Sequence, residues 1–554
     1  MKNKNNFYNF LSVMTTVIIL INTASIAQPP DKLWESHYKG ALDGMDEANY
    51  IITDLSGNVF ITGQSFQAFA GGDFTTVMYN GNGIQLWAEH FANTQSSYSN
   101  YGIRLVIDKW QNVYAVGSTA LNDGDLAVCK YNSAGKIWAK SYEPHWLDSF
   151  DDFGIDIDID SSGNFYALAR VTSISGNLYD MYIMKCDSSG GKTWEVNYTG
   201  ASEADYPVDL YLTPGGTVYT LLQSYNFFGT QSDDITTIQF LSNGVQNWFS
   251  AYNGAGDDKD YPTSMKVDEA ENQYICGTTD SGSDNDMVVM KQNNFGTRLW
   301  SLTYNGTANG DDTAFSVTSL LDGNIVVTGK SKELLSGVIV DAIVTFVIDD
   351  GTIVWTNKYY GNDSLGASVS HMITDANGNI YICGFENLIN NTKNGCIIKY
   401  DISGNYIFNI SYDGGANLDD KFNSITLDNN NDILVTGLTF ASATNSKFVT
   451  VKYGNISTGI SSNNFEVKDF SLEQNYPNPF NPTTKINFEI PKSGFVTLKI
   501  YDITGKLVDV LLNESKNIGS YTLDFNGNNF SSGIYFYTLS TQDFTETKRM
   551  ILLK

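Results

Sequence analysis

The side chains best supplied for chemistry in this chain are carboxylates. Pairs stand at Asp151-Asp152, Asp257-Asp258, Asp311-Asp312 and Asp419-Asp420, with Asp46-Glu47 and Glu203…Asp205 in register. A second set, Asp73, Asp125, Asp180, Asp234, Asp286 and Asp341, stands just before successive β-patterned runs. Oxygen-rich clusters suit Ca²⁺, which takes about 6–8 oxygen ligands, and paired carboxylates can serve a glycosidase. Asp at a loop–strand junction also caps backbone N–H groups. Recurrence in unit after unit favours that scaffold role, since one binding site needs only one copy. Ligand or Ca²⁺ binding by Asp151, Asp152, Asp257, Asp258, Asp311, Asp312, Asp419 and Asp420 is carried as the competing expectation.

Other catalytic signals are thin. Of four histidines, His37 and His90 share one repeat position, while His145 and His371 are isolated. Asp156, Asp158 and Asp160 alternate along a strand pattern and lack the downstream Glu of an EF-hand. The chain shows no phosphate loop, serine-nucleophile motif or zinc spacing. Five cysteines at 129, 186, 276, 383 and 396 form no disulfide framework. Cys276 and Cys383, both within Tyr-Ile-Cys-Gly, read as small core residues.

The elements that must position these groups are set by a period. An aromatic residue followed four positions later by another recurs at Trp34…Tyr38, Trp87…Phe91, Trp138…Tyr142, Trp194…Tyr198, Trp248…Tyr252, Trp300…Tyr304, Trp355…Tyr359 and Phe408…Tyr412. Successive copies lie 53, 51, 56, 54, 52, 55 and 53 residues apart. Each unit holds four β-patterned segments, as in Asp156–Asp160, Phe165–Ala169, Asp180–Cys186 and Trp194–Tyr198, separated by Gly-containing turns. Such a period predicts an all-β propeller. Antiparallel order would put both sets of acidic loops on one face. The aromatic phrase itself reads as packing between neighbouring blades.

Trp34–Tyr38 has no three strands before it, and the last unit, ending at Tyr453, has no aromatic phrase after it. The expectation is therefore an eight-bladed β-propeller over 28–453, with the first strand completing the last blade and leaving no unpaired edge. Gly378-Asn-Ile-Tyr-Ile-Cys-Gly384, Asp286-Met-Val-Val-Met-Lys291 and Trp248-Phe-Ser-Ala-Tyr-Asn-Gly254 resemble the bacterial β-propeller (SBBP-like) repeat family once named for seven-bladed propellers. Gly135-Lys-Ile-Trp138 is similar to the docking phrase of quinoprotein dehydrogenases, but the unit is longer and no adjacent Cys pair exists.

The chain ends address the protein. Lys2 and Lys4, an apolar run from Leu11 to Ile21 and Ser25-Ile26-Ala27 read as a secretory signal peptide over 1–27. The run is shorter than the ~20 residues that a bilayer span needs, so no transmembrane segment is expected in the mature chain. After a Gly/Ser/Asn linker over 454–470, residues 471–554 carry equal numbers of acidic and basic side chains. The acidic balance thus belongs to the repeats and linker, which together carry −30. It excludes nucleic acid, whose binders need a basic footprint.

Asn475-Tyr-Pro-Asn-Pro-Phe-Asn-Pro-Thr-Thr-Lys-Ile486, Ile500-Tyr-Asp-Ile-Thr-Gly-Lys506, Ser532-Gly-Ile-Tyr535 and Lys548-Arg-Met-Ile-Leu-Leu-Lys554 resemble the type A C-terminal sorting domain of the type IX secretion system. The alternation in this region predicts a small Ig-like sandwich. The resemblance implies a Bacteroidetes-type exporter as partner, passage across the outer membrane, removal of this domain, and release or surface attachment. The functional expectation is a non-enzymatic propeller binding a protein or glycan. Its rival is a secreted carbohydrate-active enzyme, a glycosidase or lyase, using carboxylates of the acidic loops.

Overall fold

The computed structural model describes residues 28–67, 71–91, 100–119, 125–143, 152–172, 179–199, 204–225, 232–256, 259–454, 470–472, 474–475, 478–490, 494–516, 519–541 and 544–553. The signal-peptide segment lies outside them, as do Asp151, Asp257, Asp258, Glu203 and His145. The chain divides into two compact units, Met1–Ile456 and Ser457–Lys554. Among the described residues there is no α-helix, and hence none long and apolar enough to cross a membrane.

The first unit is all-β and propeller-like. Its sheets are open, antiparallel and four-stranded, and the described residues form eight of them. Seven use consecutive strands, as in Glu47–Thr53, Val59–Ser65, Asp73–Tyr79 and Gln85–Phe91. The eighth joins distant parts of the chain. Asp420–Leu427, Ile433–Ser442 and Asn445–Tyr453 are completed by Lys32–Tyr38, with Trp34 opposite Lys452 and Tyr38 opposite Phe448. First strands of successive sheets pack side by side, and Asp420–Leu427 packs on Glu47–Thr53 in turn. There Thr53 Oγ1 donates to Leu427 O at 3.2 Å and Asn423 Nδ2 to Ala48 O at 2.9 Å.

Burial explains the residue types. Second and third strands are covered on both faces, so Val59–Ser65 and Asp73–Tyr79 are almost wholly buried. Their threonines pair with one another instead of with water, as Thr62 does with Thr76 and Thr436 with Thr450. Outermost strands such as Lys192–Tyr198 alternate between exposed and half-buried. All five cysteines are buried and free.

The aromatic phrase is a brace. Trp34, Trp194 and Trp248 donate their indole N–H to carbonyls of Gly81, Ser242 and Asn294, each in the turn before the fourth strand of the next sheet, at 3.0–3.1 Å. Their rings lie on the glycine of that turn. A Cβ on Gly83 would come within 2.6 Å of Trp34, and one on Gly244 within 2.8 Å of Trp194. Both glycines have φ near +80° (78° and 84°), so geometry and space exclude other residues together. The turns joining first to second strands have their own device. Asp54 Oδ1 accepts from the backbone N–H of Ser56 and Asn58 at 2.8 Å, and Oδ2 from Asn58 Nδ2 at 2.7 Å. Asp108, Asp160, Asp268 and Asp375 repeat this Asx arrangement.

The second unit stacks a three-stranded sheet on a four-stranded one around Phe480, Ile486, Phe488, Leu498, Ile500, Tyr537 and Met550. Its opening motif is part of that core. Asn475 is buried and donates its N–H to Tyr537 Oη at 2.7 Å and its Nδ2 to Thr484 Oγ1 at 2.9 Å. Phe480 N–H donates to Ile551 O at 2.9 Å, tying the motif to the last strand, Thr545–Leu552.

Candidate functional site

The acidic loops act first as clasps. Asp46 Oδ2 accepts from Gly40 N at 2.7 Å and Oδ1 from Phe66 N at 2.8 Å. Asp312 does the same with Gly306 N (2.5 Å) and Lys332 N (2.7 Å). Asp420 holds Gly414 N at 2.8 Å, and Asp152 holds Thr172 N at 3.2 Å. In each full clasp one carboxylate fastens the incoming loop to the end of the second strand. Burial raises the pKa of Asp46, Asp312 and Asp420, and these amide donors pull it back.

The first members of the pairs reach the preceding sheet. Asp311 accepts from Asn285 N and Nδ2 at 3.2 and 3.0 Å, and Asp419 from Lys393 N at 3.1 Å. The clasp of the fifth sheet is Asp260, which holds Gly254 N at 2.6 Å and Asp280 N at 3.3 Å. It takes the place that Asp312 has in the next sheet, six residues after its glycine; Asp257 and Asp258 lie outside the described residues. Among the third-strand carboxylates, burial pushes Asp73 and Asp286 up to about 6, and Asp341 pairs with Lys332 at 2.7 Å. Among the described residues no three His, Cys, Asp or Glu side chains converge as a metal site.

A different set of residues departs from the repeat. Every first strand carries a register shift at one place, between Ala48 and Tyr50 in the first sheet and between Phe422 and Ser424 in the last. The extra residue puts positions three apart on one face, so Ala48 and Ile51 are both buried. The strand approaches its neighbour closely there. A Cβ on Gly117 would lie 2.0 Å from Tyr101 O, and one on Gly277 2.1 Å from Tyr261 O. That contact is the reason for glycine in the Tyr-Ile-Cys-Gly phrase.

At the loop end of these strands, around the eight sheets, stand Glu47, Tyr101, Phe153, Tyr206, Tyr261, Thr313, Ser368 and Lys421. Four consecutive sheets thus present aromatic rings and the other four do not. Tyr101 stacks on Phe153 at 6.3 Å and 17°. The Arg170 guanidinium lies 4.5 Å from the ring centres of both Phe153 and Tyr179, and Tyr179 meets Tyr206 at 5.6 Å. Tyr206 and Tyr261 share a cavity of about 360 Å³ with Gln223, Tyr225, Asp233 and Lys259. All four arc residues are half-buried. A half-open ring edged by polar groups suits a ligand with one apolar and one hydroxylated side.

Three residues further along, after the shift, the positions read Tyr50, Arg104, Asp156, Asp209, Ser264, Ser316, His371 and Ser424. Several of them meet between the first strands. Arg104 Cζ lies 5.0 Å from the Tyr50 ring centre, and Tyr50 contacts His371 at 5.7 Å although another sheet stands between theirs. Arg104 Nε is 3.8 Å from Asp156 Oδ1, while 36 % of its side chain stays open. Asp156 Oδ2 accepts from Leu210 N at 3.1 Å and Asp209 Oδ2 from Met265 N at 2.7 Å, so each carboxylate also laces one sheet to the next.

Burial, reinforced by Asp156, holds the Asp209 carboxyl well above the ordinary range, with Arg104 pulling the other way. Burial pushes Asp158 up to about 6. His371 Nδ1 accepts from Ile425 N at 3.3 Å, which leaves the ring proton on Nε2. Burial, then the Arg104 charge, pushes that imidazole down to about 3, so it is neutral at physiological pH. The sequence offered His371 only as isolated and Asp156 only as strand alternation. Aligning the first strands on their shift, rather than on the aromatic phrase, is the signal that brings these residues together.

Residues 474–553 match the family model of the secretion system C-terminal sorting domain. This indicates a secreted or cell-surface protein that engages the type IX secretion system. No curated protein matches the chain. Among solved structures, PorZ, a surface component of the type IX secretion system of Porphyromonas gingivalis, is similar at 10% identity and TM-score 0.32, over 93% of this chain and 75% of PorZ. The polysaccharide lyase Uly1 is similar at 9% identity and TM-score 0.40, over 75% of this chain and 91% of the lyase. The β-propeller domain of the Trilobed protease from Pyrococcus furiosus is similar at 9% identity and TM-score 0.32, over 69% and 99% respectively. Similarity this low carries no function across.

Proposed function

We propose that residues 28–453 form an eight-bladed propeller, closed by Lys32–Tyr38 in the last blade, that binds a glycan at the cell surface or after release. Residues 1–27 direct export and residues 471–554 the outer-membrane step. The observation that carries the binding reading is the arc Tyr101, Phe153, Tyr206 and Tyr261. These residues occupy one register position on four adjacent sheets, and the remaining four sheets lack aromatics there. The C–H faces of sugar rings rest on aromatic rings, and hydroxyls take hydrogen bonds from the polar rim supplied by Gln223, Asp233 and Lys259. Clasped carboxylates such as Asp46 and Asp312 hold the loops that frame this mouth, which supports a binding role over a hydrolytic one.

The test is a glycan-array screen with the full chain, followed by titration of the best ligand against Tyr206→Ala and Thr313→Ala. Loss of about tenfold or more in affinity for the first, and little change for the second, is expected, since stacked aromatics contribute ~1 kcal/mol or more each. Equal losses, or hydrolysis of the ligand dependent on Asp311 or Asp419, would replace this reading with the enzymatic one.

A further inference from the structure

We propose that the cavity between Tyr50, Arg104 and His371 captures the carboxylate of an acidic sugar, so that the bound glycan is a uronic-acid-containing chain whose end enters the channel. The inference rests on the glycan reading and adds the chemical class of the ligand.

Four observations lead to it. The cavity, of about 340 Å³, is lined by the polar residues Asn49, Tyr50, Arg104, Ser370, His371 and Asn423 together with Ile103. Among the described residues, the carboxylate oxygen within ion-pair distance of Arg104 is that of Asp156, and it lies off the Nε edge at 3.8 Å. This is well outside the ~2.7–2.9 Å of a charge-assisted hydrogen bond. Asp156 Oδ1 and Oδ2 already accept from Ile157 N at 2.8 Å and Leu210 N at 3.1 Å. Beside Asp156 and the Tyr50 hydroxyl, the planar guanidinium fork, with five N–H donors, keeps donors to spare and matches the two oxygens of a carboxylate.

The other groups facing the cavity are arranged as donors. His371 accepts at Nδ1 and so offers Nε2–H. Tyr50 lies under the guanidinium and holds its plane by cation–π contact. Asn49 spends its Nδ2 on Gly102 O, and Asn423 on Glu47 Oε1 and Ala48 O, which leaves Oδ1 of each as an acceptor for ligand hydroxyls. A guanidinium that meets Asp156 only at the long 3.8 Å on its Nε edge, with neutral donors and acceptors on the cavity side, is a site for one carboxylate on a polyhydroxylated ring. Three residues of extended strand, about 10 Å, separate this level from the aromatic arc. A chain resting on the arc can therefore place its terminal residue or two at Arg104.

Calorimetric titration of the full chain with a panel of oligouronates, each beside its carboxyl-reduced counterpart, tests the assignment. Wild type should bind the acid form at least about tenfold more tightly, as one bidentate charge-assisted pair allows. In Arg104→Gln the acid form should fall to the affinity of the reduced form, and Arg104→Lys, which keeps the charge but not the fork, should fall between. Should Arg104→Gln fail to fold, Tyr50→Leu removes no charge but takes away the ring under the guanidinium, and should weaken the acid form alone. Equal affinities in wild type, or a preference that survives in the folded Arg104 or Tyr50 variant, overturns this inference and leaves the aromatic mouth standing. No binding of any oligosaccharide, with Tyr206→Ala without effect, overturns both.

Discussion

The outermost and innermost strands of the same sheets follow opposite rules. On the outside one phrase recurs, and in five copies it meets the same partner: Trp34 covers Gly83, Trp194 covers Gly244, Trp248 covers Gly296, Trp300 covers Gly351 and Trp355 covers Gly404. On the inside, one register position holds Tyr50, Arg104, Asp156, Asp209, Ser264, Ser316, His371 and Ser424. A side chain that always sees the next sheet's turn is held to one type by that turn. A side chain facing a space shared by all sheets meets different partners at each place around it. Repetition marks the frame of this molecule and departure marks where a ligand can be distinguished.

That contrast can be broken in four places. The largest effect should come from Trp194→Ala, at about 3–4 kcal/mol of unfolding free energy, toward the low end for a large aromatic because Trp194 is half-buried. Denaturant titration should show the shift without a change in glycan affinity of the folded protein. Coupled losses of stability and affinity would mean that frame and site are not separate.

Next in size is Glu333, whose carboxylate accepts from Tyr304 Oη, Thr307 N and Thr307 Oγ1 and pairs with Lys358 at 2.7 Å. Burial alone would raise its pKa, but these partners hold it at about 2. A depressed folded pKa means that this stabilisation is full above the ordinary glutamate value of ~4.3. It is lost as pH falls from there toward 2. Glu333→Gln should cost about 3 kcal/mol at neutral pH, and flatten the acid limb of a stability–pH curve. An unchanged acid limb would refute the assignment.

Asp209 runs the other way. Its raised carboxyl pKa stabilises the fold below the unfolded value, and that contribution fades as pH rises through the folded one. Asp209→Asn should remove about 1–2 kcal/mol of this alkaline decline, read from melting temperatures between pH 5 and 9. A decline of wild-type size in the variant would place its origin elsewhere. The smallest effect concerns Ca²⁺. Clasps such as Asp46 and Asp312 give their oxygens to backbone amides, so melting temperatures in Ca²⁺ and in EDTA should coincide. A rise with Ca²⁺ would restore the acidic loops, Asp311-Asp312 and Asp419-Asp420 among them, as a metal-binding ring.

Much of the frame was legible in the sequence, and little of the site was. The aromatic phrase marks fourth strands because indole and glycine-turn geometry demand each other. Trp34 without preceding strands, and Tyr453 without a following phrase, point to the pairing of Lys32–Tyr38 with Asn445–Tyr453. The sorting motif is legible for a similar reason: Asn475 and Phe480 are buried in one small core and tolerate little change. The clasp of the fifth sheet, Asp260, escapes a count of acidic pairs, since it stands alone and is identified by its distance from Gly254. Reading Tyr206 with Tyr101, or His371 with Arg104, requires knowing that one inserted residue converts the strand's two-residue period into three. No residue type announces that insertion, because the close approach falls on the neighbouring strand, at Gly63 and Gly117.

By itself, then, the sequence determined period, export and a four-stranded unit, since these depend on contacts that each copy repeats or on a short motif buried locally. The tertiary structure alone decided which carboxylates would be spent on backbone amides and which side chains would share the enclosed space. Tyr50, Arg104 and His371 are separated by up to 321 residues and share no motif. They meet because first strands of different sheets converge at one level, and convergence is a property of the assembled strands.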